Sequence, residues 1–441
     1  MDERGWIIGR PTAVALAQQA GVSWMRRSIA WNLVEPRQGE YDFSAIDSYM
    51  NGIIDAGFAP IVYLSNNPSW IANTPCGPID TNDPAIMAEF TDFVSAVAAR
   101  YPQVRLWSLY NEPDNAAYVL NKYSSGGCFG DHITNDINSN GVNDRADYAR
   151  MLAAARQAVH RANPNAQLAL GALAYDNFDT TAPAWYWSDK GTFNFNFLPE
   201  LLTYMRANPL PSGEAYFDVF MFNYYDLYAT MWERVAAGKG IQAKAKYLQT
   251  QMSAYAMSWP LLVGETGADS ESNSADGQAR CMEMTMVRGA ASGLRGVVWW
   301  TFRDEPLNSW YFGVVSEDYA PKPSYTAFQT LTRELNGFRY VSTLTGTTDF
   351  SEIEAYEFNV AGKKKIVLWS IRRMGDGSTF ACANARWGRI ATFGPNVTQV
   401  RLVHMDGTQT GIPDGGARDK DTRTGYIGIQ VDNPTIAQPY P

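Results

Sequence analysis

Strand-like and helix-like segments alternate through the first 337 residues of this 441-residue chain. Seven apolar runs carry the strand signal: "VSWMRRSIAW" (22–31), "APIVYLS" (59–65), "VRLWSLYNE" (104–112), "AQLALGALAY" (166–175), "FDVFMFNYY" (217–225), "PLLVGET" (260–266) and "GVVWWTF" (296–302). Near-continuous apolar runs of this length mark parallel strands buried on both faces. Helical patterns lie between them, such as "PAIMAEFTDFVSAVAARYP" (84–102) and "SADGQARCMEMTMVRGAASGLRG" (274–296). Alternation repeated this often predicts a parallel α/β fold. Eight units over this length predict a (β/α)8 TIM barrel spanning 1–337, its first strand short or truncated at or before residues 5–9. A doubly wound sheet is the alternative, weakened because no glycine-rich phosphate loop follows any strand.

The character changes after Gly337. Short alternating runs, "EIEAYEFNV", "KKKIVLWSI", "VTQVRLVHM" and "GYIGIQV", are separated by Gly, Asp and Asn turns. Residues 338–441 therefore read as a small all-β sandwich domain. Its expected part is structural, covering the barrel, in preference to carbohydrate binding.

A net charge of −9 argues against nucleic acid as a partner, because its binders present basic faces to phosphate. No run of 18 apolar residues offers a membrane span. The opening "MDERGWIIGRPTAV" has neither the basic nor the apolar part of a signal peptide, and it enters the pattern abruptly, as if residues upstream were missing. Aromatic residues reach 13%, enough for a large core and for flat platforms against sugar rings.

The four cysteines form no CxxC pair and only three histidines are present, which disfavours zinc. Cys76 and Cys128 fall in polar loops rich in glycine and proline, and a disulfide between them would fit a secreted protein if the loops are neighbours. Cys281 lies in a helical pattern and is expected to be a buried thiol.

In such a barrel the chemistry sits at the carboxyl ends of the strands. Arg26 lies in the second strand, Asn111 and Glu112 end the fourth, Asn223 and Tyr225 the sixth, Glu265 the seventh, and Trp299 and Trp300 lie in the eighth. Two carboxylates facing each other are the minimum apparatus for cleaving a glycosidic bond. Adjacent residues on a strand face opposite ways, so only one of Arg26 and Arg27 points inward. Spacing to Trp31 favours Arg26, and Trp300 is preferred to Trp299. Trp70 is balanced between a sugar platform and plain packing, and Asp304 between a sugar contact and a loop cap.

"WSLYNEPD" and "LLVGETGADS", with "WNLVEPRQGEYDFSAIDSYMNGIIDAGFAPIVYLSNNPSW" upstream, resemble clan A glycoside hydrolases, nearest to families 39 and 5. The resemblance spans residues 22 to about 337 and implies a retaining β-glycosidase with Glu112 as acid/base and Glu265 as nucleophile. It implies that Asn111 bonds the sugar 2-hydroxyl and that Arg26 holds the nucleophile ionised. Tyr225 matches the tyrosine that touches the nucleophile, whereas Asn223 stands where family 39 members often carry histidine. Burial against Trp107 or Tyr110 is expected to keep Glu112 protonated.

A long segment from Asn115 to Arg145 follows the fourth strand and is expected to shape substrate choice. Within it, "DINSNGVNDRAD" puts Asp136, Asn138, Asn140, Asp144 and Asp147 at positions 1, 3, 5, 9 and 12, with Gly141 at position 6. That is the spacing of a calcium loop, with Asp147 in place of the usual glutamate. The ion would be structural, since catalysis by two carboxylates needs no cofactor. A solvated, helix-capping turn is the competing reading.

The leading expectation is a secreted glycoside hydrolase acting on an oligo- or polysaccharide. A transglycosylase of the same clan differs only in what resolves the intermediate. A non-catalytic carbohydrate-binding barrel would need neither glutamate.

Overall fold

The structure is a computed structural model and describes residues 1–116, 126–174, 193–225, 240–371, 382 and 388–441. Parallel strands β1 (Trp24–Ala30), β2 (Ala59–Ser65), β3 (Leu106–Leu109) and β4 (Gln167–Ala169) pair in chain order. So do β5 (Phe220–Tyr224), β6 (Leu261–Thr266) and β7 (Val297–Trp299). Parallel bridges Ala169–Val219 and Leu173–Phe222 join the two groups. The circle closes through residues 1–3: Arg26 N–H donates to Met1 O, Glu3 N–H to Arg26 O, and Asp2 N–H to Trp299 O, each at 2.9 Å. The expected first strand is thus a three-residue segment, too short to show a hydrophobic period.

Alternation along these strands sorts two apolar clusters. Ile61, Leu106, Ala169, Val219, Met221, Leu262 and Val298 pack together inside the ring. Val62, Leu64, Trp107, Leu109, Phe220, Phe222 and Trp299 face outward, in one cluster with helix residues such as Phe93, Val97, Leu152 and Met282. The sequence reads β3 as running to Glu112, but its ladder stops at Leu109. Tyr110 and Glu112 take φ values of 58° and 47°, which no strand accommodates.

Beyond Gly337, β8 (Arg339–Thr343), β9 (Ile353–Val360), β10 (Lys363–Ser370), β12 (Gln399–His404), β13 (Gln409–Pro413) and β15 (Thr435–Tyr440) form an antiparallel sheet. Its strand order is β13-β12-β15-β10-β9-β8, and β11 (Arg389–Phe393) pairs with β14 (Ile427–Val431) as a separate ribbon. In β10, Ile366 and Leu368 pack with Ala391, Phe393, Ile427 and Ile429 of the ribbon. Val367 and Trp369 face the other way, into the cluster that holds Val287, Leu331 and Leu335 of the helices. A buried ion pair pins that junction: Arg288 Nε and Nη2 donate to Glu354 at 2.8 and 2.9 Å.

Cys281 is not the buried thiol expected. It is bonded to Cys382, 101 residues away, tying the helix Ala275–Ala291 to the β-rich region. Pairing is decided by proximity in space, which a separation of that size conceals. Among the described residues, no helix is long and apolar enough to cross a membrane.

Candidate active site

Arg26 pairs in register with Ile61, whose side chain lies inside the ring, and so Arg26 points inward as well. Arg27 faces out, its guanidinium 4.6 Å from the centre of the Tyr49 ring. Arg26 is only 1% exposed and joins three strand ends. Its Nη1 donates to Glu265 Oε1 at 2.5 Å and to Asp2 Oδ2 at 3.2 Å, and its Nη2 to Asn111 Oδ1 at 2.7 Å. The Tyr63 ring lies beneath it, 4.4 Å from Cζ. Burial works against the cation, but the carboxylates of Glu265 and Asp2 outweigh it and push the Arg26 pKa up.

Glu265 is the last residue but one of β6, with its Cα opposite that of Asn223 on β5. Tyr225 Oη donates to its second oxygen, Oε2, at 3.0 Å. One carboxylate therefore accepts from a guanidinium and a phenol together. Burial raises the Tyr225 pKa well above its usual value, with Glu265 and Glu112 adding to the effect, so the phenol keeps the proton it donates.

Glu112 sits just past β3 with φ +47°, and its N–H donates to Ala172 O at 3.0 Å. Non-glycine residues held in this region carry strain that the surroundings must support. The support here is local: Gly127 N–H donates to Asn111 O at 2.5 Å, and a side chain at Gly126 would press to 3.1 Å from Glu112 Cβ. Asn223 Nδ2 donates to Glu112 Oε1 at 3.0 Å. Burial, followed by the charges of Glu265 and Asp114, raises the Glu112 pKa to about 8, while Asn223 and Arg26 oppose the shift. At neutral pH the carboxyl is mostly protonated.

Trp107 does not line the site as expected, because strand alternation sends it into the outer apolar layer. Tyr110 also turns away, stacking edge-on with Phe129 and donating to Asn67 Oδ1. Trp300 packs edge-on against Tyr225, ring centres 6.4 Å apart, whereas Trp299 is buried outward with Nε1 bonded to Phe312 O. Trp70 packs edge-on against Trp31 and donates to Glu35 O. Asp304 accepts from Lys322 Nζ at 3.0 Å and from Gly313 N–H at 2.8 Å, the arrangement of a loop cap.

Cys76 and Cys128 are joined in a disulfide, which brings the segment after β2 against the one after β3. Residues 117–125 of the long loop lie outside the described residues. Asp136, Asn138 and Asn140 lie in the turn ahead of the helix Asp144–Ala162, whose first turn carries Asp144 and Asp147. Among the described residues, no group of three His, Cys, Asp or Glu side chains gathers as a metal site.

Sequence reasoning missed Asp2, Tyr63 and Asp114. Asp2 is 7% exposed, shares Arg26 with Glu265, and has its pKa raised to about 6 by burial against the pull of Arg26. A residue in a three-residue strand offers no pattern to read. Asp114 is visible in "NEPD", but only the fold shows that its Oδ1 accepts from Ala174 N–H at 3.0 Å.

Residues 10–76 match the profile of a family described as Beta-galactosidase. The fold resembles that of a family 39 glycoside hydrolase from Bacteroides cellulosilyticus WH2, with TM-score 0.64 and 17% identity over 97% of this chain and 78% of that one. It also resembles a monomeric beta-xylosidase from Caulobacter crescentus CB15, with TM-score 0.61 and 14% identity over 100% and 95% of the two chains. A family 30 subfamily 8 xylanase from Clostridium acetobutylicum matches with TM-score 0.59 and 11% identity over 99% and 94%. The chain has the fold of these enzymes. Fold alone does not set chemistry, which must be argued from the site.

Proposed function

We propose that this chain is a retaining glycoside hydrolase that cleaves β-linked glycosides or polysaccharides, its ring of parallel strands being a (β/α)8 barrel. The observation that carries this reading is the unlike treatment of two interacting carboxyls. Glu265 is held by Arg26 and Tyr225, while Glu112 is half-buried, bonded to Asn223 and raised to about 8. Environments that differ in this way separate a nucleophile from an acid.

In the first step a Glu265 carboxylate oxygen attacks the anomeric carbon as the glycosidic bond breaks, and the Glu112 proton passes to the departing oxygen. Ester formation cancels the Glu265 charge, one of the causes that raise Glu112. Glu112, now ionised and more weakly basic, takes a proton from water, which attacks the same carbon and releases Glu265. Asn111 has its Oδ1 occupied by Arg26, so its Nδ2 is left to donate to the sugar 2-hydroxyl. Arg26 thus sets both the nucleophile and the group that reads the substrate.

The sugar is to be sought among those of the fold's neighbours. Aryl β-xyloside, β-glucoside and β-galactoside, tested side by side with wild type and Glu265→Gln, form the direct assay. Turnover of at least one by wild type, lost in the variant, supports the proposal. Turnover unaffected by the substitution refutes the assignment of Glu265.

A further inference from the structure

We infer, on the glycosidase reading above, that Arg4 recognises a sugar carboxylate and that the substrate is an acidic glycan, with a uronic acid on the nucleophile's side of the cleaved bond. Arg4 follows the short first strand and stands at the same end of the ring as Glu265. Two residues before it, Asp2 shares Arg26 with Glu265. The Arg4 guanidinium lies over two indoles, 5.4 Å from the centre of the Trp300 ring and 5.1 Å from that of Trp310. Trp300 in turn packs edge-on against Tyr225, whose phenol bonds Glu265. The chain of contacts from Arg4 through Trp300 and Tyr225 thus ends on the group to which the retained sugar becomes attached.

Arg4 is anchored by one edge of its guanidinium. Its Nε donates to Glu305 Oε1 at 2.7 Å. The same oxygen accepts from Trp6 Nε1 at 3.0 Å, and Glu305 Oε2 accepts from Asn308 Nδ2 at 3.1 Å. Both oxygens of this carboxylate, which is 6% exposed, are therefore in use within the protein. Arg4 Nη1 and Nη2 have no hydrogen-bond partner among the described residues, and the side chain is 37% exposed. An ion pair and two rings hold a planar fork in place with donors to offer. A carboxylate matches such a fork in both geometry and charge, whereas a hydroxyl leaves the charge unmet.

The surroundings are basic, in a chain whose net charge is −9. Arg303 lies 4.5 Å and Arg10 5.7 Å from the centre of the Trp6 ring, the ring that shares Glu305 with Arg4. Three guanidiniums here meet Glu305 and the exposed Glu317, 3.5 Å from Arg303. Glu265 and Asp2 are already met by Arg26. The excess of positive charge beside the cleft would draw in an anionic chain.

Two substrate pairs test this. Aryl β-glucuronide and β-glucoside differ in a carboxylate against a hydroxymethyl group, which reads the reacting sugar. Glucuronoxylan and the same polymer with its carboxyls reduced to alcohols read a neighbouring sugar or branch. Wild type should prefer the acidic member of at least one pair by about 10–100-fold in kcat/KM, as one charge-assisted pair provides. Arg4→Gln should erase that preference by weakening the acidic substrate far more than the neutral one, and Arg4→Lys should restore part of it. A merely structural role would lower both members alike. Equal cleavage of both members by wild type, or a preference that survives Arg4→Gln, overturns the inference and leaves the glycosidase reading standing. Should neither pair be cleaved, that reading fails, and calorimetric titration still decides the role of Arg4. Wild type should then bind glucuronate in preference to glucose and Arg4→Gln should not; no preference in wild type overturns the inference.

Discussion

Asn223 Nδ2 donates to Glu112 Oε1 at 3.0 Å, joining the end of β5 to the residue just beyond β3. The bond favours the ionised form of Glu112 and is one of two influences opposing its raised pKa of about 8. Asn223→Ala should therefore raise that pKa. The basic limb of the kcat/KM profile should move to higher pH, with activity below pH 7 reduced only modestly. A limb that stays in place, or moves down, contradicts the assignment.

Glu112→Gln should remove general acid–base assistance and lower kcat by roughly 10²–10⁴-fold. The basic limb should vanish with it. The loss should be least for the first step with aryl leaving groups that depart without a proton. Burst kinetics on such substrates would show the glycosyl-enzyme accumulating.

The same group makes stability depend on pH. The folded-state pKa of Glu112, about 8, stands above the ordinary glutamate value of 4.5. Its contribution is fully present below that lower value and is lost as pH rises through about 8. Wild type should therefore lose stability relative to Glu112→Gln between pH 5 and pH 9. Urea midpoints measured at both pH values check this, and parallel curves would count against the raised pKa of Glu112.

Arg26→Met would leave Glu265 and Asp2 buried beside each other without their cation. Breaking a buried ion pair from one side costs about 3–5 kcal/mol. The variant should unfold at markedly lower denaturant, and its residual activity should fall further than stability alone explains, because Asn111 loses its orientation too.

Opening the Cys76–Cys128 disulfide should remove about 4 kcal/mol, the loop-closure entropy expected for its separation of 52 residues. Cys76→Ser with Cys128→Ser, compared with wild type by thermal unfolding, measures it. An unchanged midpoint would show that the neighbouring hydrogen bonds hold those loops unaided.

Much of this site could be read from strand ends. Asn111, Glu112, Asn223, Tyr225 and Glu265 all follow or end apolar runs, and a parallel fold delivers such positions to one end, while Arg26 lies within a strand. The two-residue period of a strand also separates Arg26 from Arg27. What stayed hidden has physical causes. Asp2 belongs to a strand of one bridge, too short for any period. The left-handed turn at Tyr110 and Glu112 breaks the alternation, so Trp107 could not be placed relative to Glu112 by counting. The Cys281–Cys382 bond is a contact between regions, invisible to local pattern.

The central claim is that Glu265 attacks carbon and that Glu112 serves in turn as acid and base. Proton NMR of the first sugar released from a β-linked substrate, recorded before mutarotation, reads this outcome directly. The account predicts the β anomer at the earliest times, giving way slowly to the equilibrium mixture. First appearance of the α anomer would mean a single displacement by water, and would contradict the double displacement assigned to Glu112 and Glu265.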